Sequence, residues 1–88
     1  MLKYMAENLK NAPDSKLKDS LMSLFTNLPA RRYIKYNPDI DKLEIQSFEV
    51  YWKLSHMLEN KGFNEPKKVD NTNIFVQIDS DKIYFWLE

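Results

Sequence analysis

Apolar residues recur at helical spacing in three stretches of this 88-residue chain and alternate with polar ones in four others. Leu2, Met5, Ala6 and Leu9 share one side of a helix that the Asn11-Ala12-Pro13 segment stops. From Asp14 to Leu28 the pattern is stronger, because Leu17, Leu21, Leu24 and Leu28 fall within about 60° on a helical wheel, with Phe25 beside them. Asp14 or Ser15 supplies the N-cap, and Pro29 ends the helix. A third helix runs from a Ser47 cap to about Asn60, with the only glycine, Gly62, as its left-handed C-terminal residue. Its apolar residues (Phe48, Val50, Tyr51, Trp52, Leu54, Met57 and Leu58) cover roughly 220° of the wheel, wider than an ordinary surface stripe. That breadth predicts a central, largely buried helix.

The alternating stretches predict two hairpins. Arg31–Tyr36 and Leu43–Gln46 are joined by the loop from Asn37 to Lys42, and pairing Tyr36 with Leu43 and Ile34 with Ile45 sets Lys35 opposite Glu44. After a polar loop from Asn64 to Asn73, a turn at Ser80 and Asp81 sets Ile78 against Ile83, Val76 against Phe85, and Ile74 against Leu87. Because successive strand residues point to opposite sides, the other face of that hairpin carries Phe75 opposite Trp86, Gln77 opposite Tyr84, and Asp79 opposite Lys82. Large rings therefore stand on both faces. The expected architecture is a single α+β domain over residues 1–88, in the order ααββαββ, with three helices on a mainly antiparallel four-stranded sheet.

Composition narrows the function classes. With 43% apolar and 30% charged residues the chain is of ordinary globular type, and no apolar run is long enough for a signal peptide or a membrane span. A soluble, cytoplasmic protein is expected, in keeping with the absence of cysteine. Thirteen basic and thirteen acidic residues cancel, but the chain through Pro38 carries +4 and the remainder −4, an asymmetry that can polarise a surface. Eleven lysines and eight asparagines against two arginines suggest an AT-rich genome. Regulators and inhibitors of phage or mobile-element type are the expected company for such a small protein, although no motif selects them.

No residue pattern supports catalysis or a cofactor. His56 lies among Glu49, Lys53 and Asn60 on the polar side of its helix, and Ser55 beside it points about 100° away, so the two do not form a nucleophile and base. One histidine and no cysteine leave a transition-metal site without soft ligands. Asp39-Ile40-Asp41 and Asp79-Ser80-Asp81 are paired carboxylates, yet both sit in hairpin loops, where aspartate bonds its own turn backbone. Catalytic, cofactor and metal residues are accordingly expected to be none.

What remains is a surface. If both hairpins join one sheet and the helices cover Ile34, Leu43, Ile45, Val76, Ile78 and Phe85, the opposite face presents Arg31, Tyr33 and Lys35 from one hairpin. The other hairpin adds Phe75, Tyr84 and Trp86. Exposed rings at that density mark a binding surface, unless the first helix folds over them or the hairpins form separate sheets. The expected partner is another protein or a second copy of the chain. The alternative is single-stranded nucleic acid, with Tyr33, Tyr84 and Trp86 stacking on bases and Arg31, Lys35, Lys16 and Lys18 on phosphates. Zero net charge weighs against it, since phosphate neutralisation supplies most non-specific affinity.

Overall fold

The computed structural model describes residues 2–88; Met1 lies outside the described residues, as does the side chain of Leu28, which the periodicity puts on an apolar face. Four helices, α1 (Leu2–Leu9), α2 (Lys16–Thr26), α3 (Leu28–Arg31) and α4 (Phe48–Asn60), lie against a five-stranded antiparallel sheet. Its strands are β1 (Ile34–Asn37), β2 (Lys42–Ile45), β3 (Lys67–Lys68), β4 (Ile74–Asp79) and β5 (Lys82–Leu87), in the spatial order β1-β2-β5-β4-β3. The class is the expected α+β, and the two hairpins do form one sheet. They meet where Leu43 pairs with Phe85 and Glu44 with Tyr84.

Both hairpin registers match the hydrophobic pattern. Ile34 faces Ile45 and Tyr36 faces Leu43, while all six pairs from Ile74–Leu87 to Asp79–Lys82 form in the terminal hairpin. A slip of one residue would turn Ile74, Val76, Ile78, Ile83 and Phe85 away from the helices, so burial fixes the register. These five side chains join Met5, Leu9, Leu21, Phe25 and Leu58 in one core cluster. Phe25 and Phe85 meet edge to face at its centre, with ring centroids 5.3 Å apart.

Side-chain caps fix the helix ends. Ser15, rather than Asp14, caps α2, its hydroxyl accepting from the Lys18 N–H at 3.1 Å; Ser47 caps α4 through the Val50 N–H. Gly62 takes the left-handed conformation after α4, at φ +85°.

Four local expectations need correction. Helix α2 stops at Thr26 because Asn27 is extended, and Pro29 then sits in the first turn of α3 instead of only terminating a helix; its fixed φ and missing N–H suit that position. As a result Arg31 lies in α3 and β1 begins only at Ile34, although the Gln46 N–H still donates to the Tyr33 carbonyl as a continuation of the ladder. The segment from Asn64 to Asn73 is not all loop, since Lys67 and Lys68 pair with Val76 and Phe75 as a fifth strand. Lastly, α4 is not central. All the helix packing is on one side of the sheet, so the wide apolar arc of α4 divides between the core (Leu54, Leu58) and water, where Phe48 is 73% and Trp52 57% exposed.

Candidate protein interface

Alternation along the paired strands places rows of side chains on the sheet face away from the helices. Across that face Lys68, Phe75, Trp86, Lys42 and Asn37 form one row, and Gln77, Tyr84, Glu44 and Lys35 the next. Tyr33, one residue before β1 and 42% exposed, extends the same alternation. Five of the six residues singled out from the sequence (Tyr33, Lys35, Phe75, Tyr84 and Trp86) thus share a face. Arg31 does not join them, because α3 carries it away from the strand.

The first helix does not cover these rings: Met5 and Leu9 of α1 are fully buried in the core on the other side. Phe75, Tyr84 and Trp86 are nevertheless only half-exposed, because the face covers itself. Phe75 and Trp86 stack with centroids 5.6 Å apart and planes at 17°, while the Lys42 ammonium sits 4.0 Å from the Trp86 ring centre. Glu44, between Tyr84 and Lys35, is only 8% exposed and accepts from Gln46 Nε2 at 3.1 Å. Burial, together with the carboxylates of Glu44, Asp79 and Asp81, holds the Tyr84 hydroxyl above its ordinary pKa. At the rim, a depression of about 510 Å³ opens beside Trp86, lined by Ile40, Asp41, Lys42, Leu87 and Glu88.

The edge of the sheet holds a departure from the pattern. Tyr36 pairs with Leu43 as expected, yet it is 51% exposed at the end of β1, and its hydroxyl donates to Asp41 Oδ1 at 2.6 Å. That bond is the main cause of the raised Tyr36 pKa. Asp41 has φ +54° and its carboxylate is held by Tyr36, while Asn37 Oδ1 accepts from the Asp39 N–H, so Asn37 and Asp41 shape the loop. Among the described residues, no three His, Asp or Glu side chains come close enough together to hold a metal ion. No helix of the described residues is long and apolar enough to cross a membrane.

A second aromatic surface was not singled out in the sequence. Along the exposed side of α4, Phe48 stacks on Trp52 (6.1 Å, 22°), Tyr51 lies 6.2 Å from Phe48, and His56 meets Trp52 edge-on at 5.3 Å. Its signal was the 220° arc itself, too wide for a helix with one buried side. An arc that wide fits either a buried helix or a helix with two working faces, and periodicity does not separate the two. Searches of protein-family models, curated proteins and solved structures return no match to this chain.

Proposed function

We propose that this chain is a non-catalytic, cytoplasmic binding domain that takes a protein partner on the outer face of its sheet, as a small regulator or inhibitor would. The supporting observation is the continuous row Lys68-Phe75-Trp86-Lys42, with Tyr84 beside it, on the face that no helix covers. Aromatic anchors ringed by lysines are the composition of a contact surface with an apolar centre and a charged rim. Lys35, Lys42, Lys68 and Lys82 stand there with Glu44, Asp79 and Glu88, the last accepting from Trp86 Nε1 at 3.4 Å, so the rim carries charges of both signs around an apolar patch.

A nucleic acid fits this face less well. Base stacking needs an open ring, and Trp86 has Lys42 over it and Phe75 stacked beside it.

Affinity capture from the source cells with the wild type, with the double variant Tyr84→Ala/Trp86→Ala, and with Asp19→Ala on the helix side tests the reading. A protein held by the wild type and Asp19→Ala but lost by the double variant, with far-UV CD unchanged, supports it. Equal retention by all three would remove the sheet face from consideration. Binding to a single-stranded oligonucleotide that weakens steeply between about 50 and 200 mM salt would replace it with the nucleic-acid reading.

A further inference from the structure

We propose that the exposed side of α4 pairs with the same side of a second copy of this chain, making a weak twofold dimer that leaves both sheet faces free. The inference stands apart from the sheet-face reading and rests on a different surface. Phe48 and Trp52 are the most exposed apolar rings of the central part of the chain, 73% and 57% open to water, and they are already stacked on one another. Next to them on the helix, Glu49 and Lys53 form an ion pair at 3.4 Å, with both side chains largely solvated.

The spacing of these four residues is self-complementary. In an antiparallel helix pair related by a twofold axis, residues equidistant from the axis face each other. Phe48 and Trp52 are centred on residue 50, and Glu49 and Lys53 on residue 51. Those two centres are only about 1.5 Å apart along the helix, so one axis serves both pairs. Phe48 then meets Trp52 of the second copy, and Glu49 meets its Lys53, each contact occurring twice.

The available area sets the strength. An aromatic side chain buries about 150–250 Å² when fully covered, so the two rings offer on the order of 300 Å² per copy. With Tyr51, His56 and the stems of Glu49 and Lys53, the total approaches about 1,000 Å², the low end for a specific interface. Contacts of that size are weak and transient ones, so self-association in the micromolar-to-millimolar range is expected.

Sedimentation equilibrium over roughly 10 μM to 1 mM, a span set within that range, reads the dimer directly. The wild type should shift from monomer to dimer across this range, and Phe48→Ala/Trp52→Ala should weaken association roughly 100-fold, out of range. Because those rings are solvated, the variant should keep its far-UV CD. Glu49→Lys alone and Lys53→Glu alone should each weaken the dimer, whereas Glu49→Lys/Lys53→Glu should restore it, since the swap preserves both reciprocal pairs. This charge arm stands even if the aromatic variant fails to fold. A wild type that stays monomeric to the top of the range, a dimer that survives loss of both rings, or a swap that fails to restore association would each overturn the proposal. Tyr84→Ala/Trp86→Ala should leave the dimer intact, which separates its fate from that of the sheet-face reading.

Discussion

The Lys42 ammonium lies 4.0 Å from the centre of the Trp86 ring, across the seam where β2 of the first hairpin pairs with β5 of the second. Two segments more than forty residues apart thus share a cation–π contact on the face away from the helices. Such a contact stabilises by about 0.5–1 kcal/mol at an exposed site and more when desolvated.

Removing the lysine should therefore weaken the seam and uncover the indole. In a Trp52→Phe background, where Trp86 is the only fluorophore of its kind, Lys42→Ala should lower unfolding free energy by about 1 kcal/mol and shift native-state emission to longer wavelength. Unchanged emission would mean that Lys42 does not shield the ring in solution.

A larger loss is expected at the Phe25–Phe85 contact. Phe85 is fully buried at the middle of the sheet, paired with Leu43 on one side and Val76 on the other. Phe85→Ala should cost about 3–5 kcal/mol through lost burial and the cavity left behind, a large share of the roughly 4–13 kcal/mol typical of a domain this size. Thermal denaturation by CD should show a midpoint lowered by at least 10 °C, or no cooperative transition. A drop of only a few degrees would place Phe85 outside the core.

The registers of both hairpins were legible in the chain because Ile34, Ile45, Val76, Ile78, Ile83 and Phe85 alternate strictly with polar or aromatic residues, and only one register buries all six. That the two hairpins share one sheet was expected, but the seam through Leu43–Phe85 was not legible. Either hairpin satisfies its own pattern alone, and the choice to pair depends on tertiary burial. The fifth strand escaped notice because Lys67 and Lys68 have no alternation; they pair with β4 as a charged edge that discourages further strand addition. As for the site, the pattern placed Tyr33, Lys35, Phe75, Tyr84 and Trp86 on one face, but it missed that Phe75, Trp86 and Lys42 cover one another. It missed the α4 ridge for a related reason, since periodicity reports which residues are apolar and not which side of a helix meets the core.

Tyr84 gives the fold a dependence on alkaline pH. Burial first, and then the carboxylates of Glu44, Asp79 and Asp81, raise its folded-state pKa above the ordinary value of about 10. Below pH 10 the hydroxyl is protonated in both states and favours neither. As pH rises past the ordinary value the unfolded chain releases its proton first, so the folded state binds more protons and stability falls until the folded-state pKa is passed. Urea titrations at pH 8 and at pH 11 should show a smaller loss for Tyr84→Phe than for the wild type. Tyr36, raised in the same direction by its bond to Asp41, is present in both and does not affect the difference. Identical losses would show that Tyr84 titrates alike folded and unfolded.

The turn between β4 and β5 holds a strain that can be relieved. Asp79 pairs with Lys82, leaving Ser80 and Asp81 as a two-residue loop, and Ser80 has φ +56° while Asp81 has no positive φ. Positive φ at the first loop position is the II′ arrangement, which matches the twist of the strands and prefers glycine there. For a residue with a Cβ the left-handed region costs about 1–2 kcal/mol. Glycine removes that strain but widens the unfolded ensemble by about 0.5–1 kcal/mol, so Ser80→Gly should stabilise by several tenths of a kcal/mol to about 1 kcal/mol. The Tyr51 hydroxyl donates to the Ser80 carbonyl at 2.8 Å, a backbone contact that the substitution keeps. Asp81→Gly is the matched control: it relieves no strain and should destabilise by about 0.5–1 kcal/mol. Chemical denaturation of the two variants beside the wild type should therefore give midpoints on opposite sides of it. If Ser80→Gly falls below the wild type together with Asp81→Gly, the left-handed residue carries no strain and the turn is of a different type.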